Sequence, residues 1–166
     1  MLALIQKAED GYEACYKKHL KHSIDKVWAT LTENERLAKW FPELRADDLR
    51  EGGDMAFHMP DGTVEKLPIT ALKTHSVLEY AWWGDSVRFE LYPESESNDS
   101  GCLLVLKRKI IALTDHTPKD LAGWHVCLEV IEALLDGRTI ESRESEWKKW
   151  YERYIQAVEN IKSSQE

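Results

Sequence analysis

The residues with the clearest potential for chemistry are a histidine and two glutamates in the segment DLAGWHVCLEVIEALLDG, residues 120–137. At about 100° per residue, His125, Glu129 and Glu132 fall in one narrow polar stripe of a helix. A carboxylate one or two turns from a histidine can orient the imidazole and raise its pKa, which makes His125 a candidate catalytic base. Tyr80 is a second candidate acid or base. The alternative, which the distribution of apolar residues favours, is that this stripe is the solvated edge of the helix.

One arginine is predicted to point into the core. In CLLVLKRKIIAL, Lys107 and Lys109 have the parity of the water-facing side of a strand, so Arg108 shares the inner side with apolar residues. A buried guanidinium needs a partner, because an unpaired buried charge is costly. That partner is either an acidic side chain near the mouth of a cavity or the anionic group of a ligand. A bulge that reverses the parity would instead leave Arg108 in water.

Aromatic and apolar side chains of several predicted strands converge on the same helix. Because Glu79, Arg88 and Glu90 should face water, the residues that alternate with them face inward. These inward side chains either fill a solid core or line an apolar cavity, which is the usual form of a small-molecule site. The predicted ligand-binding residues are Trp40, Met55, Phe57, Tyr80, Trp82, Phe89, Arg108, Trp124 and Leu128.

Other chemistries have no supporting pattern in this sequence. His19 and His22 are three residues apart on a predicted strand, which puts them on opposite faces, so no metal ion is expected. No cysteine has a histidine at an informative spacing. The Gly52-Gly53 pair is a turn without a following P-loop pattern, and no cofactor is predicted.

The elements that must position these residues follow an α+β order. A strand over YEACYKKHL precedes two short helices in SIDKVWATLTENERLAKWF. About six antiparallel strands follow, with the polar segment ESESNDSG as one of the turns. A long helix ending at Gly137 comes next, and an amphipathic helix over about residues 141–161 is appended. The sequence predicts a curved antiparallel sheet of about six or seven strands wrapped around the long helix.

The last helix carries an aromatic stripe at helical spacing, formed by Trp147, Trp150, Tyr151 and Tyr154. We expect these side chains to pack on the protein's own surface. The alternative is a homodimer contact, because exposed aromatic patches tend to be interfaces.

Length and composition restrict the class of protein. The 166 residues suit a single domain, and 43% hydrophobic residues can form a core without a disulfide or metal. A net charge of −8 argues against binding to nucleic acid or to an anionic membrane. Cys15, Cys102 and Cys127 are widely spaced and predict reduced thiols in a cytoplasmic protein. No signal peptide or membrane span is expected.

Four segments match a known family in order and spacing: VWATLTENERLAKWF, DLREGGDMAFHMPDG, VRFELYP and GWHVCLEVIEALLDG. The chain resembles bacterial single-domain proteins related to the C-terminal domain of the activator of the heat-shock-protein-90 ATPase. These belong to the START-like, or SRPBCC, superfamily, and the resemblance implies its helix-grip fold. It covers residues 12–137 as the core of one domain over residues 1–166, with the last helix as an extension.

The resemblance also bears on function. The superfamily includes lipid carriers, hormone receptors and cyclases, so it favours a cavity without specifying a reaction. We expect a small apolar or amphipathic ligand between the sheet and the long helix, and binding is favoured over catalysis. The alternatives are a cyclase or isomerase that uses His125 or Tyr80, and a chaperone-associated protein-binding module. The eukaryotic co-chaperone has an N-terminal domain with no counterpart before Tyr12, so no stimulation of the chaperone ATPase is expected.

Overall fold

The computed structural model describes residues 1–94 and 101–164, which form one antiparallel sheet and four helices. The predicted turn ESESNDSG lies outside the described residues from residue 95 to residue 100. The strands are β1 (Leu4–Ala8), β2 (Gly11–Leu20), β3 (Leu44–Asp48), β4 (Asp54–His58), β5 (Val64–Lys73), β6 (Val77–Trp82), β7 (Asp85–Pro93) and β8 (Cys102–Ile110). The helices are α1 (Ile24–Thr32), α2 (Asn34–Trp40), α3 (Thr117–Leu135) and α4 (Arg143–Ser163).

The described part of the sheet has eight strands, in the order β1-β2-β8-β7-β6-β5-β4-β3, so the expectation of six or seven strands was too low. The unpredicted strands, β1 and β3, are the two edges of the sheet. β3 has the sequence LRADD, which lacks a run of apolar alternation, and it is held by backbone pairing with β4. The side-chain amide of Asn34 adds hydrogen bonds of 2.8 and 3.0 Å to the backbone of Ala46.

The middle of the sheet depends on a pairing between distant parts of the chain. β2 pairs with β8 in a register that runs from Tyr12 opposite Ile110 to Leu20 opposite Cys102. The hairpins β5–β6 and β6–β7 then extend the sheet from β8 towards β4 and β3. Arg108 lies on the inner face of β8 and is buried, as its parity predicted.

Two short helices follow β2, as predicted, and close one end of the sheet. Ser23 caps α1, because its Oγ accepts a hydrogen bond from the backbone N–H of Lys26 at 3.4 Å. Trp40 at the end of α2 is buried, and its Nε1–H donates to the carbonyl oxygen of Thr30 at 2.8 Å. That bond fixes the angle between α1 and α2, because it joins their C-terminal parts.

The long helix α3 is covered on two sides. Trp124 faces the sheet, where its ring lies 6.3 Å from that of Phe89 between centroids. The neighbouring His125 faces the other way and stacks on Trp150 of α4 at 3.8 Å between centroids. The polar stripe that was expected to be a solvated edge is therefore covered by α4 at His125. This double burial explains why apolar residues occupy more than half of the circumference of α3.

The last helix packs against the chain's own long helix. Trp150, Tyr154 and Val158 are buried, whereas Trp147 and Tyr151 are half-buried and stack on each other at 4.8 Å between centroids. A homodimer through this helix stays a prediction. None of the described helices is both long and apolar enough to cross a membrane.

Candidate ligand-binding site

A well-formed cavity of about 560 Å³ lies beside the N-terminal half of α3. Its other walls are the loop between α2 and β3, the end of β6 and the first turns of α4. This volume is typical of a small-molecule site. The lining residues are Phe41, Pro42, Glu43, Trp82, Asp120, Gly123, Trp124, Val126, Cys127, Arg143, Glu144 and Trp147.

Aromatic rings form the inner wall of this cavity. The ring centroid of Trp82 lies 5.0 Å from that of Trp124, and Phe41 lies 5.8 and 5.6 Å from the same two rings. Such tilted and edge-to-face contacts hold each ring in place. The wall is therefore largely preformed, and a ligand would meet it without ordering flexible side chains.

Gly123 leaves α3 without a side chain where the helix borders the cavity. A glycine inside a helix costs about 1 kcal/mol relative to alanine. Close packing against a neighbouring element would require a glycine at this position. A Cβ atom added at Gly123, however, meets no heavy atom within 4 Å. Because Gly123 also lines the cavity, its missing side chain enlarges the space beside α3.

Cys127 contributes an unreactive group to the wall. Burial raises the pKa of its thiol to about 12, so the group stays protonated at neutral pH. A protonated buried thiol behaves as a small apolar side chain. The cavity therefore does not present Cys127 as a nucleophile.

A second cavity of about 430 Å³ adjoins the first, since Trp82 and Asp120 line both. Its lining is more polar and includes Arg108, Asp85 and His116. The two cavities together form a groove whose first part is aromatic and whose second part has a larger share of polar groups.

The buried partner of Arg108 is an acidic side chain of the protein. Its Nη2 and Nε donate to Oδ2 of Asp120 at 2.9 and 3.3 Å, and its Nη1 donates to the carbonyl oxygen of Ser86 at 2.5 Å. Asp85 adds a carboxylate oxygen 3.6 Å from Nη2. Of the two alternatives that the sequence left open, the structure shows the acidic side chain.

The predicted ligand-binding residues separate into two groups. Trp82 and Trp124 line the larger cavity, and Trp82 and Arg108 line the second one. The other residues line neither of them and belong to the core or pack against it: Trp40, Met55, Phe57, Tyr80, Phe89 and Leu128. In the described part of the chain these side chains pack between the sheet and α3, and the cavity of about 560 Å³ lies at the side of α3. Lining residues that the sequence did not indicate include Phe41, Asp120, Gly123, Arg143 and Trp147.

The two candidate acid–base residues lie away from this groove. Tyr80 is buried, and burial raises the pKa of its hydroxyl. His125 and Leu128 line a separate cavity of about 140 Å³ that also contains Tyr16 and Met1. His125 is buried instead of solvated, which corrects the interpretation that the sequence favoured.

Burial keeps His125 in its neutral form. The hydroxyl of Tyr154 accepts from the backbone N–H of Ala3 at 2.9 Å and lies 2.7 Å from Nδ1 of His125. A hydroxyl can both donate and accept, so it can pair with Nδ1 in either tautomer of the neutral ring, and Nε2 lies 3.8 Å from a carboxylate oxygen of Glu129. Burial, followed by the positive charges of the N-terminus and Lys18, lowers the pKa of His125 to about 3. The expected increase of this pKa by the neighbouring glutamates does not occur.

The buried neutral His125 makes stability depend on pH. In the unfolded chain its pKa is about 6.5, so acid favours unfolding between about pH 6.5 and pH 3, with a slope of at most about 1.4 kcal/mol per pH unit. Because solvent at the edge of α3 screens part of this effect, we expect the loss of stability between pH 6.5 and pH 5 to be about 1 kcal/mol larger than in His125→Gln. Urea unfolding of both proteins at the two pH values measures it. Parallel pH profiles would contradict the buried neutral state.

The remaining histidines do not form a metal centre. His19 lies 2.9 Å from a carboxylate oxygen of Glu94, and His22 lies 2.6 Å from one of Asp136. Within residues 1–94 and 101–164, no group of three or more histidine, cysteine or acidic side chains is arranged to hold a metal ion.

Comparison with known proteins identifies the fold. A conserved protein of unknown function from Enterococcus faecalis, EF2215, has a TM-score of 0.82 at 22% identity and covers 96% of this chain and 91% of its own. CalU16 from Micromonospora echinospora has a TM-score of 0.69 at 21% identity, with coverage of 93% and 94%. The protein encoded by gene BPP1335 of Bordetella parapertussis has a TM-score of 0.68 at 21% identity, with coverage of 93% and 91%. Identities this low establish the fold alone.

The family follows from the sequence match. No curated protein matches the chain. The family model described as "Activator of Hsp90 ATPase homolog 1-like protein" matches residues 21–136, which include α1, α2, strands β3 to β8 and all of α3. The described sheet and helices also have the helix-grip arrangement that the resemblance implied. The chain therefore belongs to the family of activator of Hsp90 ATPase homolog 1-like proteins.

Proposed function

We propose that this protein binds a small, largely apolar molecule in the cavity between the N-terminal half of α3, the loop after α2 and the start of α4. The observation that carries the proposal is the open, aromatic-walled space of about 560 Å³ beside Gly123. A protein without a ligand here would gain helix stability from alanine at this position, and nothing in the surrounding packing opposes it.

The position of the ionisable groups supports binding over catalysis. The proposed acid–base residues, His125 and Tyr80, lie outside the cavity, and the buried thiol of Cys127 is protonated. The aromatic wall suits burial of an apolar surface, which contributes roughly 25 cal/mol for each Å² removed from water.

Substitution of Gly123 tests the proposal directly. The probe is N-phenyl-1-naphthylamine, an uncharged fluorophore at neutral pH whose emission rises in apolar surroundings. We expect saturable binding to the parent protein and an at least tenfold weaker affinity in Gly123→Leu, because the leucine side chain would project into the cavity beside the aromatic wall. The matched variant Gly123→Ala should bind the probe about as well as the parent and unfold with a free energy about 0.5–1 kcal/mol higher.

Urea unfolding of each variant separates loss of the cavity from loss of the fold. No saturable binding by the parent protein would contradict the proposal. Equal affinity of the parent and a folded Gly123→Leu variant would also contradict it, because the probe would then bind elsewhere.

A further inference from the structure

We propose that the ligand of this cavity carries a positively charged amine next to its apolar body, and that carboxylates are disfavoured. This inference rests on the proposed function and deepens it by naming the charge of the ligand. It follows from the balance of charged groups around the cavity, from the carboxylate of Asp120 in its lining and from the aromatic wall.

The charged residues that line the cavity are mostly acidic. Glu43, Asp120 and Glu144 are negatively charged and Arg143 is positively charged, and the charge of Asp120 is paired with that of the buried Arg108. Glu43 and Glu144 lie at the exposed rim. Glu144 also pairs with Lys148 at 3.3 Å, but both side chains are exposed, so this contact is weak and screened by water.

The arginines near the cavity already have partners within the protein. Arg143 donates through Nη2 to the carbonyl oxygen of Trp40 at 2.8 Å and lies 3.4 Å from Sγ of Cys127. Arg108 is buried and is bonded to Asp120 and Ser86. A ligand carboxylate would have to displace these bonds to reach Arg108 or Nη2 of Arg143, whereas Nε and Nη1 of Arg143 take no part in them. It would also have to approach Asp120 and the acidic rim.

Asp120 provides an acceptor for a ligand. Both of its bonds from Arg108 end on Oδ2. Among the residues that the structure describes, no donor is bonded to Oδ1. Because Asp120 lines both cavities, a ligand group where the two cavities meet would lie beside its carboxylate. An ammonium group donates up to three hydrogen bonds and accepts none, which matches this acceptor.

The aromatic wall favours the same charge. Trp82, Trp124, Phe41 and Trp147 line the cavity, and the faces of aromatic rings attract cations. The guanidinium carbon of Arg108 already lies 6.0 Å from the ring centroid of Trp124. A ligand amine in the cavity would have further ring surface from Trp82 and Trp147.

The test compares three probes that share one naphthalene body. They are 1-naphthylmethylamine, 1-naphthalenemethanol and 1-naphthoate, titrated into the unaltered protein by isothermal calorimetry at pH 7.5. We expect the amine to bind at least tenfold more tightly than the carboxylate, with the alcohol in between. In 0.5 M NaCl the difference should shrink, because salt screens the exposed rim.

Two outcomes separate this inference from the proposed function. If the alcohol binds and the carboxylate binds as tightly as the amine, the charge preference is overturned while the apolar site stands. If none of the three probes binds, and the neutral fluorophore does not bind either, the proposed function fails and this inference fails with it.

Substitutions at the rim test the cause of the preference without disturbing the core. The double variant Glu43→Gln/Glu144→Gln should lower the ratio of amine affinity to carboxylate affinity at least threefold. The matched control is Glu159→Gln, which removes one negative charge near the other end of α4, from an exposed residue. It should leave the ratio within about 1.5-fold of the parent value, since distant exposed charges are screened. An unchanged ratio in the folded double variant would contradict the inference.

Discussion

Replacing Trp124 with alanine is expected to lower the free energy of unfolding by about 3–5 kcal/mol, the usual cost of deleting a large buried aromatic side chain. The Trp124 side chain is only 3% exposed although one side of it lines the cavity. It contacts the rings of Phe41, Trp82 and Phe89, so its loss would unpack the aromatic wall and leave α3 without its main contact there. Urea unfolding monitored by far-UV circular dichroism measures the change.

The matched control is Trp83→Ala, on the hairpin between β6 and β7. Trp83 is 51% exposed, and its φ of 43° lies in the left-handed region, which alanine tolerates no better. We expect this variant to lose less than about 1 kcal/mol. If Trp124→Ala lowered the free energy of unfolding by less than about 1 kcal/mol, the Trp124 side chain would contribute few stabilising contacts and the expectation would be wrong.

The second large effect concerns the buried ion pair of Arg108 and Asp120. Removing one member of a buried pair typically costs about 3–5 kcal/mol, because the other charge is left without compensation. The Arg108 side chain is 1% exposed and that of Asp120 is 15% exposed, so the two are not equivalent. In Asp120→Ala the buried guanidinium of Arg108 loses its main partner and keeps the carbonyl oxygen of Ser86 and the more distant Asp85. We expect the free energy of unfolding to fall by about 3 kcal/mol.

Arg108→Leu should cost clearly less than Asp120→Ala, because the carboxylate it leaves behind lines two cavities that water can reach. The double variant Arg108→Leu/Asp120→Ala should be more stable than Asp120→Ala alone, since it also removes the unpaired buried charge of Arg108. Denaturant unfolding of the parent, the two single variants and the double variant gives the complete double-mutant cycle. Equal costs for the two single variants would mean that the two charges are equally solvated.

Much of the fold could be predicted from local patterns. The alternation in CLLVLKRKIIAL was sufficient to place Arg108 on the inner face of β8, and two short helices were evident between Ser23 and Pro42. The edge strands β1 and β3 could not be recognised in the same way. An edge strand needs only backbone pairing on one side, and β3 is both short and charged, so its sequence carries no alternating signal.

The site was harder to predict than the fold. Trp82 and Trp124 were identified. Met55 and Phe89 share the inward strand parity of Trp82, and Leu128 lies one turn after Trp124 on α3. Neither pattern distinguishes a filled core from a cavity wall. One available signal was missed, a glycine inside a strongly helical segment at position 123. His125 was misjudged because the sequence did not show which face of α3 the next helix, α4, would cover. Its burial depends on a stacking contact with Trp150 that no local pattern reveals.

The pairing of β2 with β8 has a consequence for biosynthesis. Leu20 leaves the ribosome long before Cys102, its partner in the register, and translation at ordinary rates of about 5–20 residues per second puts the interval on the order of ten seconds. During that time β2 has no inner neighbour, and the hairpins β5–β6 and β6–β7 can form beside it without joining it. The sheet is therefore completed late in synthesis, and a chain truncated before β8 would expose the unpaired edges of β2 and β7 to association with other chains.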